Sequence, residues 1–184
     1  PVLSPAKECT LKTLTDHLAQ YAAYHRDPRN ISTHFVGVPM IVLAVATLLS
    51  GASFDLGTIS ISLAMLVTAA TCIFYFRLDF RFGVIMTALL AITLIVANWL
   101  ASLSTSNWLL AGIGLFVIGW IIQFVGHYYE GKKPAFVDDL VGLLVGPLFL
   151  VAEAAFALNL RLDVKEAVES RVGKVRQRDS ALSA

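Results

Sequence analysis

The sequence predicts an all-α fold, a polytopic membrane helical bundle, and three observations carry that expectation. Hydrophobic residues fill 57% of the 184 positions and charged residues only 15%, with a mean hydropathy of +0.74, which is too apolar for an ordinary soluble domain. Apolar runs recur at membrane-crossing length, which takes roughly 20 residues of helix. Lys and Arg fall outside those runs, where they can gather at one membrane face.

Taken in order, the chain opens on a polar and amphipathic stretch that reads as a cytoplasmic helix. Lys7, Glu8 and Lys12 lack the layout of a cleavable signal peptide, so this end is expected to stay on the side where it was made. Four transmembrane helices are then expected over residues 33–53, 58–76, 82–103 and 107–126. The connections at 51–57 and 104–107 hold no Lys or Arg, whereas Arg77, Arg81, Lys132 and Lys133 sit at the other ends of the spans. The positive-inside bias makes that basic side cytoplasmic.

A fifth apolar segment covers 140–160 and has Gly146 and Pro147 at its middle, where proline breaks or kinks a helix. It reads as a re-entrant hairpin returning to the cytoplasmic side, the alternative being a kinked full span with an exported tail. Residues 1–160 are expected to form one membrane-embedded domain. Residues 161–184 form a basic amphipathic tail, with Val164, Val168, Val172 and Val175 at helical spacing, suited to an anionic membrane surface. The membrane accounts for its charge, so no nucleic-acid partner is expected. Cys9 and Cys72 are not placed to form a disulfide, and a reducing face is the default.

Polar residues of chemical interest gather in two clusters, His25 to His34 before the first span and Gln123 to Glu130 at the end of the fourth. Three of the four histidines lie in them, and imidazoles at the ends of membrane spans are candidate metal ligands. All three fall on the cytoplasmic side. On an unbroken helix His25 and His34 would face opposite ways, but Asp27 as N-cap and Pro28 as first helical residue break the chain between them. The two rings can then converge. Asn30 shares the face of His34 and could orient a ligand or substrate.

Gln123, His127 and Glu130 recur at i, i+4 and i+7, and the last two are spaced as a His-x-x-Glu ligand pair. Imidazoles with a carboxylate and open positions suit mononuclear non-haem Fe(II), although zinc or manganese accept similar ligands. His17, two turns before His25, is a surface histidine or a further ligand. Glu153 is a carboxylate in apolar context and so a functional suspect, as ligand, proton carrier or partner for an arginine. Asp138 and Asp139 read as caps. Tyr21, Tyr24, Tyr128, Tyr129 and Trp120 read as interfacial aromatics, with Trp99 and Trp108 at the opposite face.

The runs Tyr24-His25-x-x-Pro28-x-Asn30-x-x-x-His34 with Val38-Pro39, and Gly119-Trp120-x-x-Gln123-Phe124-x-Gly126-His127-x-x-Glu130-x-x-x-Pro134-Ala135, resemble the family of membrane 2-hydroxy fatty acid dioxygenases. That family includes the yeast enzyme of phytosphingosine breakdown, and the resemblance covers about residues 10–160. It implies an Fe(II)-dependent enzyme that uses O2 to shorten a long-chain 2-hydroxy fatty acid by one carbon, in fatty acid α-oxidation. It also implies His25, His34 and His127 as metal ligands, with Glu130 matching by spacing. His17 and the basic tail lie outside the pattern. Asn30, Gln123, Arg26 or Arg29 could hold the substrate carboxylate, whose alkyl chain would arrive from the bilayer. Compactness points to a bacterial inner membrane rather than an endoplasmic reticulum.

Two rival readings stay open on the sequence. A b-type haem protein would use histidines at the ends of two spans as axial ligands. A small transporter or scaffold would use them only structurally, although residues 58–76 and 82–103 offer little polar path for a solute. A diiron desaturase needs about twice the four histidines present.

Overall fold

In the computed structural model, residues 12–57, 59–134 and 140–176 are described. Thr58, where the second span was expected to begin, and Asp138 and Asp139 lie outside them. The chain is helical as expected, in the order α1 (Leu14–Ala22), α2 (Pro28–Ser50), β1 (Ser53–Leu56), β2 (Ile59–Ser62), α3 (Leu63–Leu78), α4 (Phe80–Ala101), α5 (Thr105–Glu130), α6 (Gly142–Ala157) and α7 (Leu162–Val172).

Local chemistry sets the first two helices. Thr13 takes the Asp16 amide at 3.3 Å while Asp16 Oδ2 accepts the Thr13 amide at 2.7 Å, which closes a capping box on α1. Asp27 Oδ1 then accepts the Arg29 amide at 2.8 Å and Pro28 starts α2, as the sequence indicated. Between these caps the chain turns at Ala23–Arg26 and leaves His25 at the corner.

Two expectations change in the middle of the chain. The second expected span is shorter than drawn, because Ile59-Ser60-Ile61-Ser62 pairs with Ser53–Leu56 in an antiparallel hairpin. Alternation of Ile and Ser is a strand pattern that average hydropathy conceals. Gly57, with φ of 68°, supplies the left-handed turn residue. What remains is the 16-residue α3, about 24 Å long, against a hydrocarbon core of about 30 Å. Among the described residues three helices, α2, α4 and α5, are long and apolar enough to cross a membrane, or four if the bent pair α6–α7 counts as one span.

The fifth segment bends, but not at its proline. Helix α6 runs through Pro147, which leaves only the Leu143 carbonyl near the helix start without its usual amide. The break comes at Leu158–Arg161, where Asn159 and Arg161 take left-handed φ of 58° and 54°, and α7 leaves at 113° to α6. Arg161 pins this corner to the α3–α4 turn: its Nη1 lies 3.0 Å from Asp79 Oδ2 and its guanidinium covers the Phe82 ring at 4.9 Å. Asp79 Oδ1 in turn caps α4 through the Phe82 amide.

The tail helix also finds a partner other than lipid. Val164 and Val168 are buried in the same apolar cluster as Leu14 and Leu18 of α1 and Phe149 of α6, with Val172 and Val175 packed against it. Helix α1 presents its own stripe of Leu14, Leu18 and Ala22, and the two stripes cover each other.

The bundle itself is apolar outward and small inward. Leu110 and Ile95 are 73% and 70% exposed, while Gly112, Gly119 and Gly126, seven residues apart on α5, are buried against α2. This is the packing of helices in lipid, where small residues let backbones approach. A Cβ on Gly119 would stand 2.7 Å from Ile41 Cγ1 and 3.1 Å from the Gly37 carbonyl oxygen. Seven residues on, a Cβ on Gly126 would stand 2.6 Å from Asn30 Oδ1.

Gly119→Leu is therefore expected to overpack the α2–α5 seam and destabilise the protein by about 1–3 kcal/mol. Gly114→Leu, where a Cβ meets nothing within 4 Å, should leave the thermal midpoint in detergent near that of the parent. Equal midpoints for the two variants would contradict the seam.

Candidate metal centre

Three elements deliver one imidazole each: the α1–α2 corner brings His25, the second turn of α2 brings His34, and the last turn of α5 brings His127. All three are buried, and one ligand nitrogen from each lies within 4.8 Å of the others. Their ring centroids are 4.4, 5.0 and 5.0 Å apart, with mutual interplanar angles between 69° and 80°. The rings thus meet at their edges around a common point.

Hydrogen bonds decide which nitrogens face that point. His25 Nδ1 lies 2.7 Å from the Tyr21 carbonyl oxygen, and His34 Nδ1 lies 2.8 Å from that of Asn30. A carbonyl only accepts, so each Nδ1 carries the proton and each Nε2 carries a bare lone pair. Those two Nε2 atoms stand 2.9 Å apart. Two neutral lone pairs at that distance repel unless a cation lies between them. Two nitrogens about 2.1 Å from one metal ion and at a right angle stand about 3 Å apart. His127 adds a buried Nδ1 with no hydrogen-bond partner among the described residues. The donor set therefore fits a metal ion.

Burial, and then the charge that His34 would carry, push the His25 pKa well below its ordinary value. His25 is consequently neutral at neutral pH, which is the form that binds metal. Its ring stacks on Tyr21 at 4.1 Å with planes 4° apart, and Phe149 packs on both rings. Tyr21 and Phe149 were not singled out as site residues in the sequence. The i, i+4 spacing of Tyr21 and His25 was the available signal for the first, while nothing local marks the second.

Glu130 lies outside the imidazole group. Its Oε2 accepts the Arg26 amide at 2.9 Å, the Asp27 amide at 2.7 Å and Asn30 Nδ2 at 3.2 Å. Its Oε1 meets Arg176 Nη2 at 3.3 Å, and the Arg176 amide donates to the Arg26 carbonyl. Asn30 is fully buried, with Nδ2 shared between Glu130 and the Tyr24 carbonyl and Oδ1 unpartnered. Gln123 is buried with Nε2 unpartnered, and it lines a cavity of about 60 Å³ together with His34, His127, Tyr21 and Trp120.

The remaining sequence candidates point elsewhere. His17 is half-buried with its ring edge-on to Phe74 at 5.8 Å, away from the imidazole group. Arg29 pairs with Asp27 at 2.7 Å and covers Tyr129. Arg26 turns away from the cavity: Nε donates to the Ala22 and His25 carbonyls, Nη1 donates to that of Gly173, and Nη2 lies 3.7 Å from Glu153. Glu153 is thus the partner of an arginine. A haem would need a porphyrin-wide slot between two axial rings. Three rings at 4.4 to 5.0 Å leave no such slot.

Comparison with known proteins adds a family model described as "Mpo1-like: 2-hydroxy-palmitic acid dioxygenase Mpo1-like", which matches residues 11–158. The 2-hydroxy-palmitic acid dioxygenase MPO1 of Saccharomyces cerevisiae is 32% identical to this chain over 172 residues, covering 92% of the chain and 94% of that protein. No solved structure matches the chain.

His34→Ala or His127→Ala should each weaken metal retention by more than about 100-fold while membrane insertion is kept, because each removes one of about three ligands. His17→Ala should retain metal as the parent does. Metal analysis after anaerobic purification checks this, and retention in either of the first two variants would remove that histidine from the ligand set.

Proposed function

Because the chain belongs to the Mpo1-like family, we propose that it is a membrane dioxygenase of long-chain 2-hydroxy fatty acids. In this reading it uses Fe(II) and O2 to shorten the acid by one carbon. The observation that carries it is the pair of bare Nε2 lone pairs, 2.9 Å apart, facing one point beside a third buried imidazole. His25, His34 and His127 would hold the iron. Bound there, iron would supply the redox chemistry with O2 and a seat for the hydroxyl and carboxylate oxygens of the substrate.

The reaction balances with O2 alone. The C1–C2 bond breaks, C1 leaves as carbon dioxide, C2 is oxidised from alcohol to carboxylic acid, and the other oxygen atom leaves in water. No external reductant is needed.

The chain's own residues then have separate tasks. Tyr21 and Asn30 hold the His25 and His34 rings through their carbonyls, so that the metal-facing nitrogens stay deprotonated. Glu130 acts as a positioning residue rather than a ligand, since three N–H donors and Arg176 already occupy it. Gln123 lines the cavity and its Nε2 has no partner among the described residues, so it is the residue we assign to the substrate carboxylate. Asn30 Oδ1 stands against Gly126 rather than in the cavity, so Asn30 acts as a positioning residue, with its carbonyl on His34 and its Nδ2 on Glu130. The basic residues near the site and the positive-inside bias support a cytoplasmic position for this chemistry.

Purified protein with Fe(II) and O2 should convert a 2-hydroxy long-chain acid to the acid one carbon shorter, with one oxygen atom from O2 in the new carboxyl group. The unhydroxylated acid and the 3-hydroxy isomer should react far more slowly, because neither offers a five-membered chelate next to the bond that breaks. Mass spectrometry under labelled O2 is the check. Absence of label in the product, or equal turnover of all three acids, would reject the dioxygenase reading.

A further inference from the structure

The imidazole cavity has a larger neighbour. Val38, Val42 and Pro147 line the cavity on one side, and the same three residues line a second, larger groove of about 340 Å³. That groove lies between α2, α4 and α6. Its side chains are apolar except at Thr93, whose hydroxyl donates to the Leu89 carbonyl at 2.9 Å. Met86 and Leu150 are buried at its floor, whereas Phe35, Leu89 and Ile92 on its rim are 44%, 45% and 60% exposed on the lipid-facing surface. A space with a buried floor, a lipid-facing rim and a wall of three residues shared with the imidazole cavity suits a long alkyl chain with a polar head.

We propose that this α2–α4–α6 groove is the binding site for the alkyl chain of the acid whose head lies at the three imidazoles, a proposal that rests on the dioxygenase reading. The chain passes between Val38, Val42 and Pro147 and runs along α4 from Met86 toward Thr93, about 10 Å of helix axis. Lipid tails are as apolar as the groove, so burial alone gives a membrane-dissolved substrate little advantage here. What the groove adds is orientation. A chain laid in it sets the head against the imidazoles and excludes acids too short to reach past Val42. The groove therefore sets a lower limit on chain length, while its open side lets longer chains continue into the bilayer.

Leu90 lies half-buried in the middle of the groove, and Leu90→Trp should fill it. The ratio of kcat/KM for a 16-carbon over an 8-carbon 2-hydroxy acid should fall about ten- to a hundredfold, the discrimination a filled apolar pocket yields. Ile95→Trp, on the same helix but 70% exposed and outside the groove, should leave that ratio at the parental value. Thr93→Phe, a smaller intrusion at the far end, should lower the ratio in the same direction. Metal content of each variant, equal to the parent, separates a filled groove from a disrupted centre.

The groove is also testable without turnover. The metal-loaded protein in phosphatidylcholine nanodiscs is irradiated with a 2-hydroxy palmitic acid bearing a diazirine near its methyl end, and the labelled peptides are mapped. Label on residues 86–93 that is displaced by excess unlabelled 2-hydroxy acid supports the site. Label spread over the lipid-facing helices, or undisplaced by the acid, overturns it, as does an equal fall for both chain lengths in Leu90→Trp. If the parent turns over no 2-hydroxy acid, the dioxygenase reading fails on that result alone, and displacement of the label still decides the groove.

Discussion

Everything at the functional end of this molecule depends on one buried carboxylate. Glu130 has a fully buried side chain, and its Oε2 collects two backbone amides from the α1–α2 corner and the amide of Asn30. Those amides belong to a turn interrupted by Asp27 and Pro28, where no helical carbonyl is available to them. Without the carboxylate they would be buried and unpaired, each at a cost of about 1–3 kcal/mol. Without them the carboxylate would be a buried charge with Arg176 alone for company. Each side needs the other, so the end of α5 is drawn onto the corner. His127, one turn before Glu130, arrives with it and meets His25 and His34.

The glycine seam sets the depth at which this meeting happens. Gly112, Gly119 and Gly126 let α5 press against α2 along its length, and Gly126 sits directly beside Asn30. Large side chains turn outward to lipid instead. Helices α1 and α7 then close the wet end of the bundle by covering each other's apolar stripes, and the stretch after α7 brings Arg176 back to Glu130 and to the Arg26 carbonyl. The tail is thus in direct contact with Glu130.

What was legible in the sequence was what is local. The Asp27–Pro28 break, the two histidine clusters, the long apolar helices and the amphipathic ends all follow from spacing over a few residues. The hairpin at 53–62 was hidden because Ile-Ser alternation averages to the hydropathy of a helix. Pro147 looked like a break, yet the chain turns eleven residues later, at a corner that Arg161 ties to Asp79 across 82 residues. Glu130 shows the limit most clearly. Its His-x-x-Glu spacing reads as a ligand pair, and nothing nearby reveals that amides 103 and 104 residues away would claim its oxygen. Arg26 likewise finds partners in Gly173 and Glu153, 147 and 127 residues away, and Arg29 covers Tyr129, 100 residues away.

The central claim is that the corner held by Glu130 presents three imidazole nitrogens to one metal ion. X-ray absorption at the iron edge, on protein loaded with Fe(II) under anaerobic conditions, tests it most directly. The account predicts one iron per chain with nitrogen and oxygen neighbours at about 2.1 Å and the outer-shell scattering of imidazole rings. A spectrum without imidazole scattering, a porphyrin signature, or protein that takes up no iron would contradict it.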